Sequence, residues 1–138
     1  MQRGAHIEPA GKFLKVRTLA LDENSSIAVI DFRVVNSSDY TVMVREVTVT
    51  LEQPNRTSSD GTVVSEVDAR RLFQYYPVLG QKFNDSLIIR DHIKPHETLD
   101  RMIAVRFEIP VAQLDGRKRL KLRVEDVDGA SGELIETK

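Results

Sequence analysis

The stretch Tyr40-Thr-Val-Met-Val-Arg-Glu-Val-Thr-Val-Thr-Leu51 decides the fold, because it alternates like a strand but changes parity part-way along. Tyr40, Val42 and Val44 share one face, whereas Val47, Val49 and Leu51 share the other. Successive side chains of a strand point to opposite faces, so one extra residue is needed to keep both apolar sets on a single core. The spacing predicts a β-bulge or a sheet-switching bend at Arg45-Glu46, a device by which the strands of a sandwich turn corners. The alternative is that two separate strands meet there.

Working outward toward the N-terminus, Ala28, Ile30, Phe32 and Val34 fall on one face, the period of a strand with one buried side. Asn36-Ser37-Ser38-Asp39 breaks it, and Phe13 to Leu21 reads as an earlier strand that ends in the polar cluster Asp22 to Ser26. On the other side, Gln53 to Gly61 carries turn chemistry, and Thr62 to Val64 is expected to return as a hairpin partner. Ser65, with Asp68 three residues on, can cap a helix; Ala69, Leu72, Phe73 and Tyr76 then follow at helical spacing until Pro77. Strands are expected at Leu87 to Ile93 and at Leu99 to Ile109, then a helical turn at Pro110 to Leu114. A last major strand carries Leu120, Leu122 and Val124 and ends at Asp128-Gly129, with a short edge strand at Leu134-Ile135.

These elements define a mainly β chain: an immunoglobulin- or fibronectin-III-like antiparallel β-sandwich of about seven strands with one inserted helix at about 66–76. The expected organisation is a flexible leader over 1–12 and a single domain over 13–138. A chain of 138 residues, 41% hydrophobic and 30% charged, holds enough apolar surface to fold around one core. Its net charge of −1 supplies no global field for nucleic acid or acidic lipid. The lack of cysteine removes disulfide frameworks and thiolate sites. No apolar run has the length of a membrane span, so no membrane insertion is expected from this segment.

Candidate chemistry is sparse. His92 and His96 stand four apart, but the metal-pair meaning of that spacing belongs to a helix, and Pro95 places these two in a strand and turn. Asp126-Val-Asp128-Gly129 resembles the opening of a calcium loop, yet it lacks a third oxygen ligand before the Gly and a well-placed bidentate Glu, which favours a hairpin turn. Arg117, Lys118, Arg119, Lys121 and Arg123 form a basic stripe with no aromatic residue among them to stack bases, so it is read as an edge guard. Asn24, Asn36, Asn55 and Asn84 each open an Asn-X-Ser/Thr triplet and serve as loop markers. No nucleophile elbow, phosphate-cradling loop or zinc-binding His-Glu pair is present, so no catalytic residue and no cofactor is assigned.

Phe73, Tyr75, Tyr76 and Phe83 place half of the eight aromatic residues in the helical insertion and the loop after it. Either the helix caps an open side of the sandwich and buries them, or Tyr75 and Phe83 stay outside as partner anchors.

Phe32-Arg-Val-Val-Asn36 followed by Tyr40 to Leu51, with the later Phe107-Glu-Ile-Pro110 and the terminal basic strand, resembles the water-stress and hypersensitive-response (WHy) domains of the late embryogenesis abundant group two proteins. Bacterial exported domains with fibronectin-like sandwiches are similar in the same way. The resemblance spans about residues 26 to 125; Ser37 stands where the family carries Pro, and the insertion from Ser65 to Phe83 is atypical. It implies a non-enzymatic sandwich and supplies no site residues. The reading from sequence is a non-enzymatic binding or accessory module that contacts a protein through Phe73, Tyr75, Tyr76 and Phe83, with Arg70 and Arg71 as flanking charge. The alternatives are a stress-protective protein without a defined ligand and a metal-dependent hydrolase using His92 and His96. The expected location is extracytoplasmic in a bacterium where an export signal has been trimmed from upstream of Phe13, and cytoplasmic otherwise.

Overall fold

The structure, a computed structural model, describes residues 10–137. Residues 1–9 of the expected leader lie outside the described residues, and Ala10 to Lys12 belong to the first strand. Nine strands form two antiparallel sheets. They are β1 (Ala10–Asp22), β2 (Ser25–Val35), β3 (Val42–Glu52), β4 (Ser58–Asp60), β5 (Thr62–Val63), β6 (His92–Ile93), β7 (Thr98–Phe107), β8 (Arg119–Asp126) and β9 (Ser131–Ile135). One sheet has the order β1-β2-β7-β5; the other has β4-β3-β8-β9, with β6 also pairing with β3. Helices α1 (Glu66–Tyr75) and α2 (Val111–Asp115) complete the chain.

The bulge stands where the parity changes. Val44 pairs with Asp126 and Glu46 with Glu125, so Arg45 is the extra residue. Val42 and Val44 before it and Val49 and Leu51 after it are all buried in one core. Tyr40 lies ahead of β3 and is exposed. The opposing sheet contributes Ala28, Ile30, Phe32 and Val34 from β2 and Ile103, Val105 and Phe107 from β7.

Three expectations need correction. The first is that β2 has one buried side: its other face is buried too, because Ile27 and Val29 join Met102, Ala104 and Leu19 in a second apolar cluster beneath α1. A strand covered on both faces reads as a near-continuous apolar run, as Ile27 to Ile30 does. The second is the hairpin return at Thr62 to Val64. The partner of β3 is β4, while β5 pairs with β7 in the other sheet, so the chain changes sheets at Gly61. A Cβ on Gly61 would stand 2.1 Å from Val105 Cγ1, which excludes any side chain from that crossing.

The third is the strand over Leu87 to Ile93, which is reduced to His92–Ile93. Ile88 to Asp91 form a turn instead: the Asp91 carboxylate accepts the Ile88 N–H at 3.0 Å, and Arg90 takes a left-handed φ of 78°.

Asn36, expected only to break a strand, is fully buried and ties loops together. Its Nδ2 donates to the carbonyls of Tyr40 (2.6 Å), Ile93 (2.9 Å) and Lys94 (3.1 Å), and its Oδ1 accepts from the Ser38 hydroxyl at 2.6 Å.

Candidate functional site on the helical insertion

The insertion leaves and re-enters the same edge of β7. Val64 N–H donates to the Ala104 carbonyl at 2.8 Å on the way out; on return, Met102 N–H donates to the Asp85 carbonyl (2.9 Å) and Leu87 N–H to the Met102 carbonyl (3.0 Å). Between these points α1, a 3-10 turn at Pro77–Leu79 and a strap over residues 80–84 lie across the outer face of the β1-β2-β7-β5 sheet. Ser65 caps α1 by accepting the Asp68 N–H at 3.2 Å, satisfying one donor that the first turn leaves open. The stripe Ala69, Leu72, Phe73 and Tyr76 packs down onto the sheet, as its spacing predicts.

The residues singled out from the sequence therefore divide. Phe73 and Tyr76 are partly buried and fasten the helix. Tyr75 is 80% exposed and Phe83 56% exposed, and Arg70 and Arg71 face solvent on α1. The two arginines pair loosely with Glu66 (3.8 Å) and Asp68 (3.6 Å); such exposed pairs contribute ~0.3–0.5 kcal/mol and leave the guanidiniums available. Val78, at 81% exposure, extends the solvent face of the insertion beyond the residues read from sequence. Beside α1 an open groove of about 390 Å³ has Leu21, Ile27, Val64 and Leu72 in its lining, with Tyr75 and Arg71 at α1.

What holds this face in place was not read from the sequence. Arg17 on β1 pairs with Asp31 on β2, Nη2 to Oδ2 at 2.8 Å, and both side chains are almost wholly buried. Arg17 Nη1 donates to the carbonyls of Leu79 (2.8 Å) and Gln81 (2.6 Å). The guanidinium lies 4.9 Å from the Phe73 ring centroid and 5.3 Å from that of Phe83, within reach of a cation–π attraction. Asn84 Nδ2 donates to the second Asp31 oxygen at 2.9 Å. At the other end of the strap Lys82 Nζ stands 2.8 Å from Glu66 Oε1, and Ser86 N–H donates to Glu66 Oε2 at 2.9 Å. Burial pushes the Glu66 carboxyl up, but Lys82 and the Ser86 bonds outweigh it and hold it below the ordinary range. The one sequence signal for this anchor is that Asp31 shares the outward parity of Ile27 and Val29, a carboxylate in line with an apolar face.

Elsewhere three of the five cations of the basic stripe meet carboxylates. Arg117 forms a bidentate pair with Glu136 at 2.9 and 2.7 Å, Lys121 Nζ lies 2.9 Å from Glu52, and Arg123 lies 3.4 Å from Glu125. His92 sits on β6 opposite Met43, whereas His96 occupies the following turn with Nε2 at 2.8 Å from Asp39 Oδ1. Among the described residues no three His, Asp or Glu side chains converge on a common point. The calcium-like segment is a hairpin turn closed by Gly129 N–H to the Asp126 carbonyl at 2.9 Å. Of the four Asn-X-Ser/Thr triplets, Asn36 opens one from a buried position.

Comparison of the chain with protein-family models, curated proteins and solved structures finds no match.

Proposed function

We propose that this chain is a non-enzymatic binding module with an immunoglobulin-like strand order, and that the solvent face of α1 and its strap is the surface that contacts a protein partner. If β1, β2, β3, β4, β5, β7, β8 and β9 are taken as strands A, B, C, C′, D, E, F and G, the two sheets read ABED and C′CFG, the immunoglobulin arrangement. The observation that carries the binding reading is the exposure of Tyr75, Val78 and Phe83 on a support fixed from below by Phe73, Tyr76, Leu79 and Arg17. Aromatic anchors held on a rigid base are what interface hot spots require, since little side-chain or loop freedom is lost on binding.

The test is capture from native extract with the wild-type chain and with a Tyr75→Ala/Phe83→Ala variant. The wild type is expected to retain a partner that the variant releases, with melting temperatures within a few degrees of each other. Equal capture by both would move the contact elsewhere. Capture by neither would favour a structural or stress-protective role, in keeping with the WHy-like pattern at Phe32 to Asn36.

A further inference from the structure

We propose that the gap in the edge of β3 at Val47 is a second docking site, which takes an extended aliphatic peptide segment ending in a cationic residue and adds it as a strand. The edge of β3 that faces β4 is covered in two places. At one end Val42 and Met43 pair with β6, Val44 N–H donates to the Asp91 carbonyl (2.8 Å), and Arg90 N–H donates to the Val44 carbonyl (2.7 Å). At the other end Thr50 to Glu52 pair with β4, and Gly61 N–H reaches the Val49 carbonyl at 2.9 Å. Between these covers no strand pairs with this edge among the described residues.

Antiparallel strands turn the backbone groups of successive residues alternately to their two sides. The Val49 carbonyl points toward β4, and the Glu52 carbonyl, which accepts Lys118 N–H at 2.9 Å, points the other way. Val47 is in unbroken register with Val49 and so turns its N–H and C=O into the gap. A groove of about 430 Å³ runs beside it, with Val47, Val63, Val64, Leu87, Ile88 and Ile89 in its lining. Ile89 is 64% exposed, and Val63 and Ile88 of the same lining are exposed too. Exposed sheet edges are commonly guarded by lysine or proline, and this groove has neither.

The occupant follows from that chemistry. It must offer a donor and an acceptor at backbone spacing together with aliphatic side chains, which an extended peptide does. An acyl chain would fill the groove but leave the two Val47 groups desolvated and unpaired, an unfavourable outcome. Glu46 is the one charged side chain in the groove lining, and it forms no ion pair among the described residues, so it favours a Lys or Arg on the incoming segment.

This inference shares the binding-module reading but rests on different residues, so the two can fail separately. The full chain, labelled with nitrogen-15, is titrated with acetyl-Val-Thr-Val-Ile-Val-Lys-amide, and Val47 amide exchange is followed. Saturable binding is expected, with Val47 exchange slowed roughly tenfold or more. The variant Ile89→Asp, its melting temperature unchanged, is expected to bind at least roughly tenfold more weakly, ~1.4 kcal/mol. A peptide N-methylated at its central residues is expected to lose affinity likewise, and the Tyr75→Ala/Phe83→Ala variant to bind as wild type does. No saturation by about 1 mM, a ceiling near −4 kcal/mol, would overturn the proposal. So would binding that leaves Val47 exchange unchanged, or occupation of the groove by a second copy of the chain.

Discussion

Replacing Asp31 with Ala tests whether the buried Arg17–Asp31 pair is the fastening of the insertion. The change strands a guanidinium that is almost wholly out of water, and removing one partner of a buried pair costs about 3–5 kcal/mol. Arg17 keeps its bonds to the Leu79 and Gln81 carbonyls, which places the expected loss at the lower end, ~3 kcal/mol. Asn84 Nδ2 also loses its acceptor, which adds on the order of 1 kcal/mol. For a urea slope of ~1.5–2 kcal/mol/M, the unfolding midpoint should fall by about 2 M. Circular dichroism across a urea series measures this, and amide exchange should show residues 79–86 opening before the rest. The double change Arg17→Met/Asp31→Leu removes both charges and is expected to recover half or more of the loss, because no charge is left buried alone. A loss below about 1 kcal/mol for Asp31→Ala, or a double variant no better than the single, would refute the assignment.

Two further outcomes follow from other buried polar groups. Asn36→Ala should cost about 2–3 kcal/mol by denaturant titration, since the carbonyls of Tyr40, Ile93 and Lys94 lose a shared donor. Burial raises the Asp126 carboxyl above its ordinary range, and neighbouring Asp128 adds to the shift against the opposing Met43 N–H bond. The folded state thus holds the Asp126 proton more tightly than the unfolded one, and this group's contribution to stability falls as pH rises through the carboxylate range. Asp126→Asn should therefore be more stable than wild type at pH 7, with the difference closing at acid pH in parallel thermal melts.

Much of the sandwich was legible because its physics is local. The parity change at Arg45 and the capped stripe from Ala69 to Tyr76 both follow from side-chain period, and that same stripe leaves Tyr75 pointing away from the sheet. The buried outer face of β2 was missed because Asp31 and Arg33 share the parity of Ile27 and Val29 and make that face read as wet. Leu87 to Ile89 mimics a strand by composition, yet only Leu87 is buried, since Ile88 and Ile89 turn into solvent. Apart from Asp31 on an apolar face, nothing in the sequence marks the anchor at Arg17, as its partners stand 14 to 64 residues away and meet only once the strap has crossed the sheet.

The division of labour on α1 bears on how this domain can change over time. The apolar packing that secures the helix falls on Ala69, Leu72, Phe73 and Tyr76, and Glu66 ties its first turn to the strap, while Tyr75, Val67, Arg70 and Arg71 lie on the outer row. Substitutions on that outer row are close to neutral for folding, typically within ~0.5 kcal/mol, so selection can rewrite it without endangering the scaffold. The solvent-facing side chains of α1 are thus free to vary over time, while the layer beneath stays constrained by packing.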